Sequence, residues 1–465
     1  MVSIPFNPFD QDFDDLEAKD LLKLRDVAEG WYVEYKREVV NTKSIGKSLA
    51  AFANHYGGWI FYGIKGATDG SNVAEAFPGL GGQEVSTLIE SLRNAAKDVV
   101  NPSPYYEHIV LNGPCSEIEL IDNRAIVAVT VPSGPDAPYI HSDGRIYRRV
   151  ADASDPKSET DRFTLDYLWQ RRQKAHERLT SFLKQESLLS KGEEDLSFID
   201  LFLLTDPLRA SGQYSNLAFK RFTELMSDPH TPGISILYDN FYTMANGMIA
   251  RQINSADPYN LVPTWRFYST GFSHVSLPIP STKIDAIHPG GWLRGYKHEE
   301  EFLSQVNRGH STSGHLLDIN QIIFTVVASV AQYKRLVAEA GIKGPVYAKA
   351  ALHNIWRRIP FLDTEAFVNF IKKHGLPVLQ FEKELAPPGS TLESLVHIED
   401  RLPTNNVDAF VVQALDALPL VTSISNALGL PRLVTFTLEE EWWWSAAGRA
   451  PEVNRWRETM FKSGK

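Results

Sequence analysis

The sequence predicts an α+β fold, and three features of its 465 residues carry that reading. Near the start, a strand-like alternation gives way within a few residues to a helical stripe and then to an apolar strand. From 105 to 150, short strand-like runs are separated by turn residues. Beyond 190, helix-like and strand-like stretches are mixed without the regular strand–helix alternation of a doubly wound sheet.

Residues 31–37 alternate, which puts Tyr32, Glu34 and Lys36 on one face of a strand and Trp31, Val33, Tyr35 and Arg37 on the other. Ser44 is read as the N-cap of the following helix. Ile45, Leu49, Phe52, Ala53 and Tyr56 follow helical spacing and form its core-facing stripe. Gly57 stands just past the helix end, where a left-handed conformation is needed. Trp59 to Ile64 are too apolar for an exposed segment and predict a buried strand. Lys47 and Asn54, seven positions apart, share a line on the helix away from the apolar stripe. Glu34, Lys36, Lys47 and Asn54 are therefore expected at one edge of a strand–helix–strand unit.

Past Gly63 the sequence from Lys65 to Gly70 has loop chemistry. A helix is predicted at about 84–98, with Val85, Leu88, Ile89 and Leu92 inward. Strands follow at 105–112, at 116–121 paired with 125–131 as a hairpin, and at 138–141 paired with 145–150. Asp161 to about Leu189 reads as a helix leading out of the domain, with the run from Arg171 to Lys174 exposed.

Composition narrows the function. No stretch reaches the roughly 18 apolar residues of a membrane helix, and the N-terminus lacks signal-peptide organisation, so a cytoplasmic protein without membrane contact is expected. The one cysteine, Cys115, excludes an internal disulfide and a cysteine-rich zinc site. The net charge is −10, and residues 1–175 hold 26 acidic against 19 basic residues. A nucleic-acid binder ordinarily carries a basic footprint, so any such binding here relies on a local patch or on oligomerisation.

The segment from Glu29 to Gly63 resembles the AlbA-like domain of the Schlafen family, also catalogued as a divergent AAA-type module. The matching residues are Glu34, Tyr35 and Lys36; Ala51, Phe52, Ala53 and Asn54; Gly57 and Gly58; and Gly63. Arg149, within Tyr147-Arg148-Arg149, matches an arginine that follows an aromatic near the end of that domain. The resemblance spans roughly 15–175, leaving 176–465 as a separate mixed α/β C-terminal region.

The resemblance implies an action on RNA or DNA. Nuclease-active members use two glutamates five apart and an aspartate after the apolar strand, with a divalent metal, to cut RNA. Glu29 and Glu34 match the glutamates and would be the metal ligands. The third position here is Lys65, which would repel a metal, so Asp69 is the near substitute. Hard cations such as Mg²⁺ or Mn²⁺ require oxygen ligands, and phosphodiester cleavage gains from metal stabilisation of developing charge. Lys36, Lys47, Asn54 and Arg149 become the nucleic-acid-binding set. The family context implies a tRNA-like endonuclease in phage defence or stress response. The alternatives are a regulatory nucleic-acid-binding protein with a degenerate site, a purely structural cluster, and ATP binding. The last rests on Gly46-Lys47-Ser48, which lacks the leading glycine of a phosphate loop because position 41 is asparagine.

In the C-terminal region, helices are predicted near 197–204, 215–226, 320–340, 346–356 and 364–374, and strands at 246–253, 261–269 and 274–279. Residues 387–390, Pro-Pro-Gly-Ser, suggest a subdomain edge. Trp442, Trp443 and Trp444 are a candidate contact with another chain. Larger Schlafen proteins set two AlbA-like halves face to face; with a single copy here, a homodimer is expected.

Overall fold

The computed structural model describes residues 6–9, 11, 13–150, 155–205, 207, 217–254, 257–279, 281–284, 296–308, 314–342, 344–398 and 409–430. These fall into two compact units, one up to Leu179 and the other from Thr180 onward.

In the first unit, β1 (Val33–Lys36) leads to α1 (Thr42–Asn54) and β2 (Gly57–Tyr62). Short strands β3 (Lys65–Gly66), β4 (Ala74–Ala76) and β5 (Leu80–Gly81) precede α2 (Gly82–Asn94). Then come β6 (Val100–Asn101), β7 (Glu107–Asn112), β8 (Arg124–Pro132), β9 (Ile140–His141), β10 (Tyr147–Arg148), β11 (Lys157–Ser158) and α3 (Arg162–Leu183). The main sheet runs β1-β2-β8-β5, with β7 also on β8. β1 and β2 are parallel, with Glu34 opposite Ile60, as a helical crossover requires.

Alternation sorts this sheet's side chains onto two faces. Ile60, Tyr62, Val127 and Val129 join Ile45, Leu49, Phe52 and Leu88 beneath α1 and α2. Val33, Tyr35, Trp59 and Phe61 pack on the other face against Phe9, Phe13, Leu21 and Leu24. α1 begins earlier than Ser44, because Asn41 is the N-cap and its Oδ1 accepts from the Ser44 N–H. Gly57 has φ +79°, the left-handed conformation expected there. The 116–121 strand does not form: residues 116–118 make a helical turn, and β8 pairs with β7 and β2 instead.

In the second unit, β12 (Phe198–Thr205) is followed by α4 (Phe219–Ser227), β13 (Asn240–Met244), β14 (Gly247–Arg251), β15 (Thr264–Tyr268), β16 (Ser273–Pro278) and β17 (Ser281–Lys283). Next are α5 (Glu299–Arg308), β18 (His315–Asp318), α6 (Ile319–Glu339), β19 (Val346–His353) and β20 (Arg358–Phe361). The unit continues with α7 (Glu365–His374), β21 (Lys383–Ala386), β22 (Val396–Ile398) and α8 (Ala409–Ala427). An eight-stranded sheet runs β13-β14-β15-β16-β12-β19-β21, with β22 also paired to β19. Residues 387–390 lie between β21 and β22.

The stretches 197–204 and 346–356, expected as helices, are the two central antiparallel strands β12 and β19. Burial on both faces leaves their sequences largely apolar apart from Asp200, Lys349 and His353, which blurs the period that separates strand from helix. One face, with Ile199, Leu201 and Leu203, packs under α6 and α8. The other carries Asp200, His274, Ser276, Lys349 and His353, all buried. The Asp200 carboxylate accepts from Ser187 Oγ at 2.8 Å and lies 2.9 and 3.2 Å from Nε2 of His274 and His353. Those rings stack on Phe202 and Phe198. Burial alone would raise the Asp200 carboxyl, but the imidazoles reverse this and hold it far below the carboxylate range. Among the described residues, no helix is long and apolar enough to cross a membrane. Trp442, Trp443 and Trp444 lie outside the described residues.

Candidate nucleic-acid interface

β1 projects Glu34 toward α1, into a face otherwise lined by apolar side chains. A carboxylate there must be paired or it costs several kcal/mol. It is paired on both oxygens: Oε1 takes Lys36 Nζ at 2.9 Å and Ser48 Oγ at 2.9 Å, and Oε2 takes Arg149 Nη1 at 3.0 Å. Glu34 is fully buried, which corrects the expectation of a partly exposed acid at a groove edge.

Arg149 is also fully buried, so it joins no positive surface groove. Its Nε donates to the Gly30 carbonyl at 2.9 Å, Nη2 donates to Val33 O at 3.3 Å, and the guanidinium lies over the Phe52 ring. Asn54 is likewise internal rather than a surface ligand. Its Nδ2 donates to the carbonyls of Tyr139 and Tyr147 at 2.8 and 3.0 Å, and its Oδ1 accepts from Tyr139 N–H at 2.7 Å. One side chain thus ties the chain on both sides of the 142–146 turn to the end of α1.

The two lysines reach the surface. Lys36 is one-fifth exposed, with Asp155 a second acid at 3.7 Å. Burial works to lower its pKa, but Glu34 overcomes this and the ammonium is held above its usual value. Lys47 is half-buried, its Nζ 5.0 Å from the Tyr147 ring centre. Ser48, which bonds the same Glu34 oxygen as Lys36, is the residue next to Lys47 on α1.

Glu29 is half-buried, and its Oε1 accepts from Tyr35 N–H at 2.6 Å. Burial raises its carboxyl pKa, with the Glu34 charge adding to the rise. Its own N–H donates to Asn72 O, at the base of the β3–β4 hairpin. Asp69 stands at that hairpin's exposed tip, bonded to Ser71 N–H and Oγ, which lower its pKa. Lys65 pairs with Glu75 at 2.6 Å.

These donors do not fit a divalent metal as arranged. Both Glu34 oxygens are taken by cations and a hydroxyl, and two positive groups within 3.0 Å repel a metal ion. Among the described residues no three His, Cys, Asp or Glu side chains are grouped to hold one. The phosphate-loop reading also fails on position, because Gly46, Lys47 and Ser48 sit inside α1, and a Cβ on Gly46 would come within 2.6 Å of Val99.

Arg171, expected on the surface, is buried and caps the end of α1. It donates to Ala53 O at 3.1 Å, Asn54 O at 2.9 Å, Gly134 O at 3.3 Å and Ser133 Oγ at 3.1 Å. The signal was its position on the α3 line of Leu168, Ala175 and Leu179, all buried.

A strand–helix–strand sheet whose crossover helix is locked by a buried Glu–Arg pair and an internal asparagine defines a compact α+β domain with a lysine-bearing edge. Residues 29–158, the N-terminal part of the chain, match the family model described as Schlafen, AlbA_2. No curated protein matches the chain. Among solved structures, the crystal structure of the DIP2311 protein from Corynebacterium diphtheriae is 16% identical over 32% of this chain, with a TM-score of 0.21. The match spans 27% of that protein's length.

Proposed function

We propose that the N-terminal unit is a nucleic-acid-binding module that grips phosphates through Lys36 and Lys47 and uses Glu34, Arg149 and Asn54 as its internal frame. The observation that carries this reading is the commitment of both Glu34 oxygens to Lys36, Ser48 and Arg149 in a site closed to solvent. A nuclease metal would need at least one of those oxygens free. The family match supports a nucleic-acid-related role for this part of the chain. RNA and DNA are both candidate partners. Two copies of a weak patch in a homodimer would strengthen binding without altering the acidic balance of the chain.

Metal-dependent RNA cleavage is the second reading. It is favoured by Glu29, a half-buried carboxyl beside Glu34 whose pKa burial raises. Incubating the full chain with labelled tRNA in Mn²⁺ and in EDTA separates the two. Retention of intact RNA in both, with binding weakened by Lys47→Ala, supports gripping. Mn²⁺-dependent fragments that disappear in Glu29→Gln support cutting.

A further inference from the structure

The far end of β1 and α1 carries an exposed aromatic surface. Trp31 stacks on His55 with ring centres 4.9 Å apart and an interplanar angle of 17°, and Tyr56 meets both rings. Tyr56 is 51% exposed. On the neighbouring face of α3, Phe163 and Tyr167 are 81% and 50% exposed at an i,i+4 spacing that places them on one line. Lys174, further along that line, sits 5.5 Å from the Tyr167 ring centre, and the Arg171 guanidinium is 5.7 Å from it. Tyr56 and Tyr167 both fall within the electrostatic reach of Arg171. The flanking acids Asp136 and Glu159 are paired with Arg172 and Arg148.

We infer that Tyr56 and Tyr167, backed by Trp31 and His55, form a stacking platform for the unpaired bases of a single-stranded nucleic acid. This rests on the reading that the N-terminal unit binds nucleic acid, and it adds which form is bound. Exposed ring faces bordered by the Lys174 ammonium suit a base with its phosphate: π-faces stack without sequence preference, and the lysine meets the backbone, while the buried Arg171 guanidinium only backs the Tyr167 ring. Burial, with Arg148 and Arg171 close by, lowers His55 to about pKa 4, so at neutral pH it is an uncharged ring. Trp31 lies five residues before Lys36, with a bend ahead of β1, so the two are at most roughly 16 Å apart at full strand rise, within a span of two to three nucleotides. One strand can therefore stack at Tyr56 and reach Lys36 with its backbone. A paired duplex has its base faces covered and cannot use the platform.

The test is fluorescence anisotropy of the full chain with a labelled oligo-dT or oligo-U and with a duplex of equal length. Parent, Tyr56→Ala, Tyr167→Ala and Tyr56→Phe proteins are compared. The expected result is tighter binding of the single strand by the parent, a loss of about tenfold in each alanine variant, and retention in Tyr56→Phe. Duplex affinity should stay unchanged. Equal binding of single strand and duplex, unaffected by the alanine changes, overturns the platform and leaves nucleic-acid binding standing. No binding of either overturns both readings. A change in molecular mass on Tyr56→Ala with unchanged nucleic-acid affinity overturns the platform in favour of a protein contact.

Discussion

Glu34 and Arg149 stand 115 positions apart in the chain and meet at 3.0 Å with neither side chain reaching solvent. The pair closes the domain: β1 supplies the acid, and the segment after β10 supplies the base. Removing one member leaves an uncompensated buried charge, which costs about 3–5 kcal/mol. Glu34→Ala is therefore expected to lose stability on that scale in urea unfolding. A loss under about 1 kcal/mol would place Glu34 at the surface after all.

Asn54→Ala leaves the Tyr139 N–H and the Tyr139 and Tyr147 carbonyls without this partner. Each unsatisfied buried group costs about 1–3 kcal/mol, so a loss of at least about 2 kcal/mol is expected. Asn54→Asp keeps the acceptor but turns a buried carboxylate oxygen toward the two carbonyls, so it should destabilise at least as much as alanine. If Asn54→Ala unfolds at the parent's urea midpoint but binds nucleic acid more weakly, Asn54 is a surface ligand and not a tie.

Lys349 in β19 is fully buried, and its Nζ finds no hydrogen-bond partner among the described residues. Burial lowers its pKa to about 8, with Lys383 contributing. Between that value and 10.5 the unfolded chain binds more protons than the folded one, so stability rises with pH through this window. Below pH 8 both states are protonated, and the fold carries the full cost, on the order of 3 kcal/mol. Lys349→Met should thus stabilise the protein at pH 7, and its advantage over the parent should shrink by pH 10. Thermal unfolding of both proteins at the two pH values checks this; a destabilised variant at pH 7 would show that Lys349 holds a partner.

Much of the first unit was legible in the sequence, because period-2 and 3.6-residue patterns report which face a side chain takes. Glu34 and Lys36 share a face as the alternation requires, and Gly57 takes the left-handed conformation its place demanded. Periodicity does not report what covers a face. Glu34 looked accessible because its cover, Ser48 and Arg149, comes from 14 and 115 positions away. Asn54 and Arg171 were misplaced for the same reason: each satisfies backbone groups of segments joined only by the tertiary fold. In β19, the run Ala348, Lys349, Ala350, Ala351 and Leu352 has helix-forming composition, and pairing with β12 on one edge overrides that local preference.

Among the described residues Lys47 pairs with no acid and lies over one ring, so Lys47→Ala should change stability little. If it meets a phosphate, the variant binds RNA or DNA more weakly at low salt, and the slope of log affinity against log salt falls by about one. An unchanged slope removes Lys47 from the interface.

The most direct test compares parent and Glu34→Gln proteins, each first shown to be folded, for binding and integrity of a labelled single-stranded RNA in EDTA and in Mn²⁺. With Glu34 as an internal frame, the parent binds with the same affinity in both buffers and leaves the RNA intact. Mn²⁺-dependent cleavage by the parent that the folded Glu34→Gln protein has lost would contradict the account.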